Sequence, residues 1–277
     1  MFKDILVHVD GGKAAERRVE AAAVLAEANE AHLVGLHVAS PAEEMPWIEG
    51  YATEMVIRYA TERAEADRAR AREVFERQTA GRAMTHEWRE AGGLADRTVS
   101  LHGRYADLIV LGQSDPEAAP FGTAPGIAAH VPLSAGRPCL ILPYAGQWPT
   151  LGRRVLVAWD GGREAARAAN DALPLLRRAE RVTVVTIGDR MQGGGAADQG
   201  AATLGTHLVR HGVAVETRND AGGAAGVPDL LLSLAADLSS DLLVMGAYGH
   251  NRLRDLIMGG VTRAILDHMT LPVLMSH

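Results

Sequence analysis

Short apolar runs alternate along the chain with longer segments in which apolar residues recur at helical spacing. Apolar, β-branched runs separated by helices are typical of parallel strands that are covered on both faces. We predict strands at 4–9, 32–38, 84–88, 107–111, 138–142, 154–159, 181–187, 213–217, 241–245 and 272–275. We predict helices at 13–29, 51–80, 93–104, 125–135, 163–178, 197–211, 226–239 and 261–269. Right-handed crossovers between such strands give a doubly wound α/β fold.

The second half of the chain repeats the first. Residues 5–10, Ile-Leu-Val-His-Val-Asp, reappear at 155–160 as Val-Leu-Val-Ala-Trp-Asp. Residues 107–112, Asp-Leu-Ile-Val-Leu-Gly, reappear at 241–246 as Asp-Leu-Leu-Val-Met-Gly. The order of the elements is the same in both halves, which indicates two tandem copies of one domain.

We expect the two modules to span residues 1–145 and 152–277, joined by a Gly- and Pro-containing linker. The first copy contains an insertion that covers Pro41 to roughly Arg63 and overlaps the helix predicted at 51–80. Charged pairs spaced i,i+4, such as Glu54/Arg58 and Glu73/Arg77, support an exposed helix, with Met55 and Tyr59 as its expected contact residues. A solvated helix packed on one edge is the favoured reading, and a partner-binding helix is the alternative.

Glycines follow the strand predicted at 241–245. Gly246 and Gly249 stand at its carboxyl end, and Gly259 and Gly260 open the helix predicted at 261–269. Glycine lets the backbone approach a ligand closely, and the unpaired N–H groups of a helix's first turn bind anions such as phosphate. The same glycines also suit two ordinary turns, so the spacing alone leaves both readings open.

The Gly-x2-Gly-x9-Gly spacing resembles the nucleotide-binding motif of the universal stress protein family, and the resemblance covers essentially the whole chain as two consecutive modules. It implies flavodoxin-like, Rossmann-like modules that bind adenine nucleotide. The last motif glycine is normally followed by Ser or Thr in that family, whereas Gly260 stands at that position here.

The resemblance also implies which residues bind ATP. An Asp at the end of the first strand contacts the adenosine part, and Asp160 occupies that place. Ile187 is the best match to a residue that meets adenine. The phosphate and ribose motif falls on Gly246, Gly249, Gly259, Gly260, Val261 and Thr262. Mg²⁺ would accompany the phosphates, and protein ligands for a metal are not implied.

The first copy retains Asp10 but not the glycines. Asp115 aligns with Gly249 and Pro125 aligns with Gly259. A carboxylate repels phosphate and proline lacks an N–H donor, so we do not expect this copy to bind ATP in the family manner.

Composition and charge limit the classes of binding partner and the cellular compartment that we expect. The net charge is −6 and Lys and Arg form no cluster, which argues against nucleic-acid binding. No run approaches the roughly 20 apolar residues that cross a bilayer, and the first residues predict a strand rather than a secretory signal. Cys139 is the only cysteine, in an apolar strand that predicts an inert buried thiol, and we expect a cytoplasmic protein.

The sequence shows no motif for catalysis or for a protein-bound metal. The chain contains no phosphate loop, nucleophile elbow or zinc-protease motif, and His207 and His211 have metal-ligand spacing without an evident third ligand. We therefore assign no catalytic residues and expect at most slow ATP hydrolysis. The alternative function is a structural or partner-binding stress protein without nucleotide.

The family resemblance also bears on assembly. Family members commonly dimerise, and a tandem chain can make that pairing internally. We expect the modules to form a pseudo-dimer in which Pro138–Leu142 meets Pro272–Met275, because exposed apolar edge strands aggregate. A homodimer of the whole chain is the alternative or additional assembly.

Overall fold

The computed structural model describes residues 1–39, 54–115, 126–188, 200–220, 226–249 and 260–277, with the backbone alone for 54–57. The chain divides into two compact units, residues 1–137 and 138–277. Each unit is an α/β layer, and the strand at Cys139–Leu142, which ends the first module in the sequence, falls in the second unit.

The first unit has a four-stranded parallel sheet. Its strands are β1 (Asp4–His8), β2 (His32–Ala39), β3 (His86–Gly92) and β4 (Leu108–Gly112). Its helices are α1 (Ala15–Asn29), α2 (Glu54–Thr79), α3 (Ala95–Gly103) and α4 (Ile127–Ser134). The strand order is β3-β2-β1-β4, so the chain winds outward from β1 in both directions.

The second unit repeats this arrangement and has two further strands. Its strands are β5 (Cys139–Leu142), β6 (Arg154–Ala158), β7 (Arg181–Ile187), β8 (Val215–Asp220), β9 (Leu242–Gly246) and β10 (Val273–Ser276). Its helices are α5 (Arg163–Asp171), α6 (Leu173–Leu176), α7 (Ala201–Arg210), α8 (Val227–Asp237) and α9 (Gly260–His268). The order is β5-β10-β9-β6-β7-β8, and all neighbours are parallel except β5 and β10.

The antiparallel pairing of β5 with β10 joins the two runs that the sequence predicts to meet. Leu140 lies opposite Leu274, and Cys139 lies opposite Met275, all of them fully buried. Burial raises the pKa of the Cys139 thiol, so the expectation of an inert buried cysteine is confirmed. The pseudo-dimeric packing of the modules stays a prediction.

The predicted elements are confirmed within a few residues where the structure describes them, with two differences. The helix predicted at 163–178 is divided at Ala172 into α5 and α6, because Pro174 in the first turn of α6 has no N–H to continue the first helix. The third strand begins at His86 and extends to Gly92, beyond the predicted end at residue 88, because it pairs with β2 along its full length.

The contact residues of α2 differ from the prediction. Tyr59 is 60% exposed, so it does not anchor the helix, and the side chain of Met55 lies outside the described residues. Phe75 is the anchor, only 1% exposed, with its ring 5.5 Å from that of Trp88 and 5.8 Å from that of His86. A Cβ on Gly35 of β2 would lie 2.5 Å from this ring, so a glycine there lets the helix pack closely.

Candidate functional site

The candidate site lies in the second unit, at the carboxyl ends of β6 and β9. These strands are parallel neighbours, with Val157 opposite Val244, so the loops that follow them start at the same edge of the sheet. Open α/β sheets bind ligands at such edges. Asp160 follows β6, and its Oδ1 accepts a 2.8 Å hydrogen bond from the N–H of Gly162, which shapes the turn into α5.

Gly246 ends β9 at a point where only glycine fits. A Cβ there would lie 2.6 Å from the backbone nitrogen of Ala165 and 2.7 Å from the carbonyl carbon of Glu164. Because these neighbours are backbone atoms of the first turn of α5, they cannot move aside easily. Gly246 therefore lets α5 start directly against the end of β9.

Two carboxylates border Gly249. A Cβ on Gly249 would lie 3.5 Å from Asp160 Oδ2 and 3.6 Å from Glu164 Oε2. Burial raises the pKa of Glu164, but the hydrogen bond and positive charge of Arg163 outweigh it, so the net pKa lies below its ordinary value. Glu164 is therefore an ionised, 6% exposed carboxylate at neutral pH.

Glu164 was missed by the sequence reasoning. Its position is equivalent to Ala14 in the first copy, so the exchange of alanine for a charged residue between the repeats was the available signal.

A buried hydrogen bond joins the two halves of the glycine motif. The N–H of Tyr248 donates to Thr262 Oγ1 at 3.0 Å, and both residues are at most 5% exposed. Tyr248 has a φ of 57°, an uncommon conformation for a bulky residue, and burial raises the pKa of its phenol to about 12. The Thr262 hydroxyl thus holds the first turn of α9 against the bend that follows β9.

The remaining predicted site residues lie in different surroundings. Gly260 and Val261 are exposed at the start of α9, and no described atom lies within 4 Å of a Cβ built on Gly260. Ile187 ends β7, next to β6, and is partly buried. Gly259 lies outside the described residues.

The equivalent place in the first unit is occupied by the protein's own side chains. Arg18 Nη2 lies 2.7 Å from Asp10 Oδ2, and Arg18 Nε donates to the His8 carbonyl at 2.7 Å. A Cβ on Gly112, at the end of β4, would collide with Arg18 Nη1. Asp67 of α2 accepts a 3.1 Å hydrogen bond from the N–H of Gly11.

Asp10 is ionised in this arrangement. Burial raises the pKa of its carboxyl, but the Arg18 guanidinium and the Gly12 N–H outweigh that effect, so the pKa is lowered. Asp115 is partly buried three residues after β4, and Pro125 lies outside the described residues.

Comparison with known proteins follows the same two-module division. The model of the universal stress protein family matches residues 1–119 and 152–277. The chain belongs to the universal stress protein family. It is a tandem member, because two separate segments match the one family model.

Individual relatives agree with this assignment. Universal stress protein Slr1230 of a Synechocystis strain is 30% identical over 203 residues, which cover 71% of this chain and 67% of that protein. A universal stress protein from Archaeoglobus fulgidus has a similar fold, with a TM-score of 0.71 at 16% identity, over 99% of this chain and 95% of that one. A putative universal stress protein from Pseudomonas aeruginosa gives a TM-score of 0.62 at 16% identity, over 99% and 93% of the two chains.

Other kinds of site find no support in the described part of this universal stress protein. Within those residues no group of three His, Cys, Asp or Glu side chains has the geometry of a metal site. The rings of His207 and His211 are tilted by 59° with their centroids 4.5 Å apart, and His207 Nε2 lies 3.2 Å from Asn170 Oδ1. Across the same residues, the helices are all too short or too polar to span a bilayer.

Proposed function

We propose that this universal stress protein binds one adenine nucleotide, ATP, in its second module and acts in a stress response without a catalytic apparatus of its own. The observation that carries the proposal is the convergence of Asp160, the bend from Gly246 to Gly249 and the start of α9 in one unit. Family membership supports the motif assignment, and the stress-response role rests on it.

The charges suggest how the nucleotide lies. Carboxylates accept hydrogen bonds from hydroxyl and amino groups and repel phosphate, so the adenosine part belongs beside Asp160 and Glu164. The exposed start of α9, at Gly260 and Val261, offers backbone N–H groups to the phosphates. Mg²⁺ would be held by phosphate oxygens, because the described residues supply no set of three metal ligands.

Titration calorimetry of the whole chain with Mg²⁺ and ATP tests this function. We expect one site per chain, lost in Asp160→Asn and kept in the control Asp267→Asn, whose carboxylate is exposed on α9 and paired with Arg263 at 3.7 Å. Two equivalent sites, or equal loss in both variants, would contradict the assignment to the second module.

Gly260→Ser tests the phosphate end. A hydrogen bond to a charged group is worth roughly 1.5–3 kcal/mol, so an added hydroxyl should tighten ATP binding by about 10- to 150-fold. No atom of the described residues lies within 4 Å of a Cβ built on Gly260, so none of them obstructs the added side chain. No ATP binding by either form of the chain would favour the partner-binding alternative, which the absence of Ser or Thr at position 260 supports.

A further inference from the structure

The repeats differ in charge at one buried position of their first helices. Arg18 in α1 corresponds to Ala168 in α5, eight residues after the Asp of each module, and both are buried, at 2% and 0% exposure. One copy thus carries a guanidinium where the other carries a methyl group. A buried charge persists only when it is paired, so the partners of Arg18 define what this position does.

Arg18 binds the groups that a ligand would otherwise meet in the first module. Its guanidinium holds Asp10 Oδ2 and the His8 carbonyl at the end of β1, each at 2.7 Å, and it packs on Gly112 at the end of β4. The other carboxylate oxygen of Asp10 accepts from the Gly12 N–H at 2.9 Å, so hydrogen bonds reach the carboxylate on both oxygens.

The loop that follows β1 is covered as well. Asp67 lies against Gly11 so closely that a Cβ on Gly11 would collide with its Oδ1. In the second module, no described atom lies within 4 Å of a Cβ built on the equivalent Gly161. The first site is therefore occupied from two sides by residues of its own module.

We infer that Arg18 is an internal ligand of the first module and that the identity of the residue at this helix position, Arg18 or Ala168, decides which module accepts a nucleotide. A nucleotide in the first module would have to displace a guanidinium that neutralises a buried carboxylate. The second half of this inference rests on the proposed function, whereas the first half does not.

Chemical rescue tests the internal ligand without any nucleotide. Arg18→Ala leaves Asp10 buried opposite a cavity, and we expect the melting temperature of the whole chain to fall by about 10 °C. Millimolar methylguanidinium chloride should restore part of that loss in the variant and none in the wild type. Equal effects of methylguanidinium and methylammonium chloride, or equal effects on variant and wild type, would overturn the inference.

The reciprocal change tests the choice of module. Ala168→Arg should lower ATP affinity at least 100-fold, because the guanidinium would reach Asp160 and Gly246, while Ala166→Arg, at a partly exposed position of α5, should leave it unchanged. Circular dichroism establishes that both variants fold. If Arg18→Ala does not fold even with methylguanidinium, the Ala168→Arg variant tests the inference by itself. Unchanged ATP affinity in folded Ala168→Arg would contradict the role of this helix position. If the wild type binds no ATP, the proposed function is wrong. The rescue experiment still tests whether Arg18 is an internal ligand, because it uses no nucleotide.

Discussion

His8 is the last residue of β1 and is buried, and its ring faces charged neighbours. Burial lowers its pKa from 6.5 to about 4, Asp10 opposes that shift, and Arg18 and His37 add to it. The Nδ1 atom lies 3.9 Å from Asp10 Oδ2, too far for a hydrogen bond. His8 is therefore neutral in the folded chain at pH values where an unfolded chain protonates it.

This residue predicts an acid-dependent loss of stability. The unfolded state binds a proton below pH 6.5 and the folded state binds it only near pH 4, so the free energy of unfolding should fall as pH decreases through that window. The loss is about 3 kcal/mol. Asp10, whose pKa is also lowered, contributes its loss only below its unfolded pKa of 3.8.

Urea denaturation at pH 7, 5.5 and 4.5 measures the effect. His8→Gln should flatten the pH dependence in this window, whereas His268→Gln, at an exposed position of α9, should keep it. Parallel curves for wild type and His8→Gln would contradict the role of His8.

Thr262 supplies the acceptor for the buried N–H of Tyr248. Thr262→Val keeps the shape but leaves the buried N–H of Tyr248 without its acceptor, which should cost about 1–3 kcal/mol of unfolding free energy. We also expect weaker ATP binding, because the start of α9 is no longer held against the bend after β9. Thr262→Ser should restore both quantities. Thr206→Val is the control, since its exposed hydroxyl donates to the Ala202 carbonyl within α7.

At the scale of elements, Phe75 is the buried aromatic side chain that packs α2 against the first sheet. Surface ion pairs such as Arg72–Glu76 at 2.8 Å and Arg77–Glu73 at 3.4 Å lie on its exposed side and contribute little to stability. Ala71, Phe75 and Thr79 are buried, so the last part of the helix packs on the core, and Asp67 near its middle accepts a 3.1 Å hydrogen bond from the Gly11 N–H.

Phe75→Ala should therefore destabilise the chain by about 3–5 kcal/mol, because it removes a ring that is packed against Gly35, His86 and Trp88. Tyr59→Ala on the same helix should change the free energy of unfolding by less than about 0.5 kcal/mol, since that side chain is exposed. Chemical denaturation of the two variants compares them directly. Equal losses of unfolding free energy in the two variants would mean that the first part of the helix also packs against the core.

At the scale of the whole molecule, the two modules share a fold but differ in the residues that lie at the carboxyl ends of their central strands. The first has the Arg18–Asp10 ion pair at the ends of its central strands, and the second has Asp160, Glu164 and glycine there. A ligand that binds only the folded state stabilises it by about 2.7 kcal/mol at 100 times its dissociation constant. That stabilisation should be local to the module that binds.

Hydrogen exchange with and without ATP checks this expectation. Protection should increase at the start of α5 and at the end of β9, and the segment from Asp10 to Arg18 should exchange at the same rate in both samples. Equal gains at both places would contradict binding by the second module alone. The wild type and Asp160→Asn should be compared under the same conditions, because the variant should show no gain.

The sequence by itself determined the order of elements, the tandem repeat and the family. Local patterns carry this information: apolar runs such as 107–111 and 241–245 specify buried strands whatever lies beside them, and Gly246 and Gly249 follow directly in the chain. Asp160 was assigned from the family resemblance, because it follows the first strand of the second module. Pro174 ends α5 through a missing N–H, a local cause that was visible in the sequence and overlooked there.

Only the tertiary structure decided which side chains meet. Arg18 lies on Gly112 and Glu164 lies beside Gly249, although about 85–95 positions separate each pair, because the first helix of each module crosses the carboxyl end of the neighbouring strand. Phe75 rather than Tyr59 anchors α2, and the Thr262 hydroxyl is used by Tyr248. Helical spacing gives the face of a helix but not the element that it meets, so contacts of this kind follow from the packing of the whole module.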